Sequence, residues 1–282
     1  KLLATGLAAI MVMGLVGCSS SKGSSSSASS DASSSAAKTE KLQQIKDAGV
    51  LKVGTSAEYS PYEFHKVVDG EDKIVGFDDF LVQEIAKDMG VKVEYEDMDF
   101  DGLLGALQAD KVDIVLAGMT PDEKRKKSVD FSDIYYTNSN VCIVAKGKED
   151  SIKSSDDLKK LKVGVQKGTT QADYVTNTLG ISDATQLKKI PDLMLELQNG
   201  KIDVIVTGKA VAEINVKKYD NIAIGNTTVG DEVAETAAAA IKKSSNGVDN
   251  TSFVKSVNDT IKRLQDSGDM DKYMQDALKL AE

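Results

Sequence analysis

Residues 107–118 read LQADKVDIVLAG, and residues 197–208 read LQNGKIDVIVTG. The two stretches agree at Leu, Gln, Lys, Asp and the closing Gly, and Val112 and Val115 are answered by Ile202 and Ile205. Each reads as a helix end, a tight turn and a short buried strand that stops at a glycine, Gly118 or Gly208. In open α/β sheets, ligands sit outside the carboxyl ends of the strands. Two units that each end such a strand in a glycine-marked loop can therefore face one cleft.

Working outward, short apolar runs alternate with amphipathic stretches on both sides of each copy. Before the first copy come a helix over TEKLQQIKDAG, with Thr39 as its cap and Gly49 after its end, and a strand over Val50–Ser56. An extended KIVGF follows, then a helix with Leu81, Ile85 and Met89 on one face, and an alternating strand VKVEYED. After the first copy a helix is expected around Lys124 and a strand over Asn140–Val144. The alternation then restarts with SSDDLKKL as a capped helix, KVGVQ as a strand, TQADYVTNTL as a helix and QLKKI as a strand. Beyond the second copy come a helix AVAEINVKKY, a strand NIAIG and a single strand TAAAAIKK. The tail is helical, with Val254, Val257, Ile261 and Leu264 at helical spacing. Strands alternating with helices imply largely parallel sheets covered by helices, here in two units.

The chain has 282 residues, room for two lobes of ordinary size, and a formal net charge of −9. That charge argues against nucleic acid as a partner and for solubility. The segment KLLATGLAAIMVMGLVGC places a basic residue before an apolar run too short to span a bilayer and right for a signal-peptide core. Leu15-Val16-Gly17-Cys18 resembles a bacterial lipobox, in which the cysteine is lipidated and becomes the mature amino terminus. Of the next 20 residues 12 are Ser, too little apolar surface to fold, so they read as a flexible tether. The expected divisions are a signal peptide over 1–17, the lipidated Cys18 and its tether over 18–39, and folded lobes beyond. The folded part is then extracytoplasmic and held to the membrane by its lipid. Cys142, in the apolar run NVCIVA, reads as a small buried hydrophobe. The sole histidine, His65, lies in a polar hairpin; no metal cluster and no cofactor motif stands out, and none is expected.

From about Glu40 to the end, the chain resembles the family 3 extracytoplasmic solute-binding proteins, which deliver polar amino acids to ABC importers. The resemblance is carried by LKVGTSAEYSPYEF, IVGFDDFLVQEIAKDMG, MDFDGLLGALQADKVDIVLAGMTPDEKRKKSVDFSDIYY, KVGVQKGTT and LQNGKIDVIVTG, in this order and spacing. It implies a bilobed α/β type II periplasmic-binding fold whose lobes are joined by two crossover strands. By similarity, residues 40–138 and 234–282 form lobe 1 and residues 139–233 form lobe 2. It also implies a monomer that binds an amino acid or an analogue between the lobes, with an ABC permease and its ATPase subunits as partners.

The resemblance places the site residue by residue. Arg125 stands where the family clamps the ligand carboxylate, five residues after Thr120, and a guanidinium offers two parallel N–H groups to a carboxylate. Thr170 matches a position whose backbone N–H donates to the same carboxylate, where a helix begins. Gly118 matches a carbonyl that meets the ligand ammonium, and Thr120 adds a hydroxyl. Tyr59 and Phe100 match aromatic residues that sandwich the ligand side chain. Gln166 and Gln171 are candidate polar contacts from lobe 2. Glu58 and Glu63 read as surface carboxylates.

One position departs from the pattern. Relatives usually carry an acid at Gly208 to pair with the α-ammonium, and this chain reads VTGKAVA. A buried ammonium without an anion is costly, so either another carboxylate substitutes or the ligand is not a standard α-amino acid. Common α-amino acids are therefore expected to bind more weakly than the family pattern suggests, and Gly208→Asp or Gly208→Glu to tighten them. Ser56 stands where binders of basic amino acids often carry Asp, which weakens the case for arginine or lysine. An enzyme on the same scaffold, dehydratase-like and acting on a small carboxylate, is the alternative to a binding protein. It needs a cleft group with a shifted pKa, and the sequence offers no compelling one. A membrane-kinase sensor would need a second apolar span, which the sequence does not show after the signal core.

Overall fold

The computed structural model describes residues 39–230, 234–245 and 247–282. The signal segment, Cys18 and all but the last residue of the tether lie outside the described residues.

Two five-stranded sheets form the frame. In the first, strand Val50–Thr55 runs parallel to both Lys92–Asp97 and Ile114–Val115. Strand Ala240–Lys242 enters antiparallel between Ile114–Val115 and Val129–Phe131. In the second, Val163–Gln166 runs parallel to Thr185–Leu187 and Val204–Gly208, and Asn140–Ala145 is antiparallel to Val204–Gly208 and Ile222–Thr228. Each sheet thus holds one reversed strand, and in each case it follows one of the two connecting strands. Those strands, Tyr136–Asn138 and Glu235–Ala237, pair with each other antiparallel.

The duplicated stretches occupy equivalent places, each supplying a strand beside the first parallel strand of its own sheet. Their glycines differ. Gly118 has φ 53, a left-handed backbone that favours glycine, whereas Gly208 has φ −65, open to any residue. The second glycine must be explained by what surrounds it.

The helix Phe77–Met89 buries Leu81, Ile85 and Met89 as their spacing predicts and ends at Gly90 in the left-handed conformation. Cutting Leu81 to Ala would cost about 2–5 kcal/mol. The tail folds back onto this helix. Arg263 of helix Thr251–Ser267 donates to Glu84 at 2.7 Å and Asp88 at 2.8 Å, and Tyr273 of helix Asp269–Ala281 stacks on Phe80 at 5.2 Å.

Several expectations need correction. Thr39 does not cap the first helix. That helix starts at Lys41 with Glu40 as the N-cap residue, and Thr39 pairs with Val248 in a two-residue strand. The helix expected around Lys124 is a single 3₁₀ turn, Arg125–Lys127, and SSDDLKKL likewise forms a 3₁₀ segment without a side-chain cap. The stretch QLKKI leaves its strand after Leu187, because Ile190-Pro191 opens the next helix, where a proline lacking N–H is tolerated. TAAAAIKK is not one strand. Between the connecting strand and the first sheet, Ala238 N donates to Met119 O and Ala239 N to the Ser132 hydroxyl, so the ladder changes partners midway.

Candidate ligand-binding site

A small, narrow cavity lies between the carboxyl ends of the two sheets. The first lobe contributes Tyr59, Phe100, Gly118, Thr120 and Arg125 to its wall, and the second contributes Gln166, Thr170 and Gln171. Eight of the nine residues singled out in the sequence therefore converge. The ninth, Gly208, stands behind Glu235, which lines the cavity in its place. A larger, shallower groove near Ile134 and Val254 has no buried charged side chain on its wall.

Arg125 follows the apolar strand and the Thr120–Pro121 turn, and is only 8 % exposed. Its guanidinium lies over the Phe100 ring at 5.4 Å, donates to Thr120 O at 2.6 Å, and reaches across the cleft to Gly168 O at 2.9 Å. Asp122 approaches Nε at 3.6 Å. Burial pulls the Arg125 pKa down while Asp122 and Asp173 oppose the shift, and the group stays cationic. Both acceptors on the fork are neutral carbonyls, weaker partners than a carboxylate. Thr170 begins the short helix Thr170–Asp173, whose cap Thr169 accepts from Ala172 N at 3.1 Å. Gln171 donates to Asn140 at 2.8 Å.

Gly118 is held from behind. Its N–H donates to Asp78 Oδ2 at 2.8 Å, and the Tyr135 hydroxyl donates to the same carboxylate at 2.9 Å. Glu63 is buried beside this group, and both its oxygens lack an ordinary donor. Burial pushes Asp78 up to about 7 and Glu63 well above the carboxylate range, with the Asp78 charge adding to the latter. Burial and the neighbouring Asp78 charge thus both favour the neutral form of Glu63. Glu63 is not a surface carboxylate.

Nor is Glu58. It bridges the lobes, accepting from Gln166 Nε2 at 2.6 Å and from Ile190 N at the start of helix Ile190–Gln198 at 2.9 Å. Burial raises its pKa to about 7 against the pull of those donors. Around the rim, Lys188 meets Asp99 at 2.6 Å, Lys167 meets Asp101 at 2.8 Å and Lys124 meets Asp173 at 3.1 Å, all across the cleft. His65 is exposed as expected, between Asp72 and Asp97.

Glu235 is the residue that sequence reading missed. It opens a connecting strand and is 2 % exposed. Tyr59 donates to its Oε1 at 3.2 Å, and Oε2 is buried without a partner. The Tyr62 hydroxyl is close enough to lower its pKa but falls short of a hydrogen bond. Burial dominates and lifts the carboxyl to about 7. A Cβ on Gly208 would lie 1.8 Å from Oε1, so the glycine is required by this carboxylate. The available signal was a lone acid at the head of an alanine run that otherwise reads as buried strand.

The chain is 38 % identical over 227 residues to the arginine-binding extracellular protein ArtP of Bacillus subtilis, covering 79 % of this chain and 83 % of that protein. It is 31 % identical over 229 residues to the L-cystine-binding protein TcyJ of Escherichia coli K12, covering 80 % and 82 % respectively. The fold matches a Streptococcus pneumoniae amino acid ABC transporter substrate-binding protein, solved with L-arginine, at a TM-score of 0.79 and 31 % identity, over 86 % of this chain and 98 % of that one. The arrangement is the bilobed type II periplasmic-binding fold. Residues 51–279 match the model of the bacterial extracellular solute-binding proteins, family 3, and the chain belongs to that family.

Proposed function

We propose that the protein captures an amino acid or a close analogue between its lobes and presents it to the permease of an ABC importer. The observation that carries this reading is Arg125, a buried cation in the wall of a cavity lined by both lobes. Relatives that bind arginine and cystine share ligands with one common part, the α-carboxylate and α-ammonium. That favours a polar floor that reads the amino-acid backbone, with Tyr59, Phe100 and Gln166 left to the side chain. Lobe 1 is assigned to residues 40–138 and 234–282 and lobe 2 to 139–233, an assignment supported by the two sheets and their connecting strands. Titration calorimetry with the twenty standard amino acids and cystine tests the function. Arg125→Ala should abolish the tightest binding, since a desolvated carboxylate partner is worth about 2–5 kcal/mol on removal. An unchanged dissociation constant would remove the carboxylate assignment.

Membrane attachment is assigned to lipidated Cys18, with the protein acting as a monomer and without a cofactor. Cys18→Ala should leave the chain unprocessed or released in fractionation, with ligand affinity unaltered. One observation favours an enzyme instead: a cavity carboxyl, Glu235, with its pKa raised to about 7. Product formation from any bound solute, lost in Glu235→Gln, would establish that reading; binding without turnover supports the transport role.

A further inference from the structure

We infer that Glu235 is the anionic partner of the ligand's α-ammonium, so that the protein selects α-amino acids over α-hydroxy acids with the same side chain. This rests on the proposed amino-acid function and deepens it.

Three independent observations meet at this residue. The first is position. The Glu235 carboxylate occupies the space that a side chain on Gly208 would enter, with Oε1, Cδ and Oε2 at 1.8, 2.2 and 2.2 Å from the ideal Cβ. The second is an unmet bonding capacity. Oε1 accepts from Tyr59, while Oε2 is buried with no donor although the residue lines the cavity. An orphaned buried carboxylate oxygen is costly, and a carboxylate accepts hydrogen bonds from a cation more strongly than from a neutral donor. The third is its surroundings. Gly118 and Thr120 line the same cavity, and Thr120 Oγ1 accepts from Thr236 N at 3.4 Å, tying the threonine loop to the strand that carries Glu235. Arg125 also lines this wall and would fix the ligand carboxylate. A zwitterion held there by its carboxylate brings its ammonium within the polar group formed by Glu235, Thr120 and Gly118. A hydroxyl in place of the ammonium would carry no charge to this carboxylate.

The test uses calorimetry on the wild type and Glu235→Gln. The probes are the tightest of the standard L-amino acids and the α-hydroxy acid of the same side chain. The wild type should prefer the amino acid by about 100-fold, within the range measured for truncating one partner of a buried charge pair. Glu235→Gln should lose most of that preference by weakening the amino acid while leaving the hydroxy acid within about threefold. The double variant Glu235→Ala with Gly208→Asp, which returns the carboxylate to the neighbouring backbone, should regain amino-acid binding relative to Glu235→Ala alone. Amino-acid affinity unchanged in Glu235→Gln overturns the inference and leaves the transport reading standing. A wild type that binds no amino acid overturns both. If Glu235→Gln does not fold, the double variant decides: failure to regain binding in a folded protein counts against the ammonium role.

Discussion

Placing any side chain at Gly208 should damage binding, the reverse of what the family pattern alone suggests. The backbone there, φ −65 and ψ 146, accepts alanine without strain, so the whole effect falls on the Glu235 carboxylate. An ordinary carbon–oxygen contact is about 3.5 Å. Relieving a contact of 1.8 Å therefore requires the carboxylate to move by about 1.5 Å or more if the atoms separate along their line. The Tyr59 bond, already 3.2 Å long, would not survive such a shift. Overpacking of this kind costs about 1–3 kcal/mol of stability. Losing the aligned partner of a buried ammonium costs about 2–5 kcal/mol of affinity, roughly 30-fold to several-thousand-fold. Gly208→Ala should thus remain folded and bind at least about 30-fold more weakly. Gly208→Asp should fare worse, because two carboxylates in one dry space cannot both ionise. Calorimetry with the wild type's tightest amino acid, beside a thermal melt, separates the two effects. A Gly208→Asp variant that binds more tightly would show that the two carboxylates coexist, and the argument from Glu235 would fall.

Glu58→Ala removes an acceptor that joins Gln166 and Ile190 across the cleft, and should speed ligand dissociation by about tenfold or more, as for hydrogen bonds to a charged group; stopped-flow dissociation rates would check this, an unchanged rate counting against it. Without ligand, the folded-state pKa values of Asp78, Glu58 and Glu235 are about 7, against ordinary values of 3.8 for Asp and 4.5 for Glu. The folded state then holds extra protons between those limits, so these groups should make melting temperature fall as pH rises from about 4.5 to 7. Ligand affinity should move oppositely, falling as pH drops below 7, because Glu235 must ionise to meet an ammonium. Tyr59, Tyr62 and Tyr136, which face Glu235, have raised pKa values and stay protonated throughout, while Arg125 stays cationic. Proton release at pH 6, measured by calorimetry in buffers of different ionisation enthalpy, would check the second trend. Uptake or no exchange would contradict it.

The alternation of apolar strands and amphipathic helices was legible because it reflects burial, which leaves a period. Leu81, Ile85 and Met89 are buried as their spacing requires, and Val53 and Ile114 sit in a parallel pair. The cavity wall was legible where one short motif carried both a strand end and its loop, as with Gly118, Thr120 and Arg125. Glu58, Glu63 and Glu235 were not, because their burial depends on segments distant in the chain. Glu58 meets Gln166 and Ile190, Glu63 lies against Asp78, and Glu235 faces Gly208. A charged letter carries no local sign of which remote surface will cover it. The alanine run failed for a related reason: its composition permits a strand, but its partners change where the chain passes between lobes.

The exclusion of a side chain at Gly208 by Glu235 also makes the two positions evolutionarily dependent on each other. A lineage that moves the acid from one to the other must pass through a protein with two carboxylates in the same space or with none. Both intermediates bind an α-amino acid poorly, so the exchange meets a fitness valley rather than a neutral path. Among homologues with this connecting-strand geometry, the acid should covary, present at one position and absent at the other. Single-site comparison would then misread Gly208 as a lost binding residue when the carboxylate has changed its place of attachment.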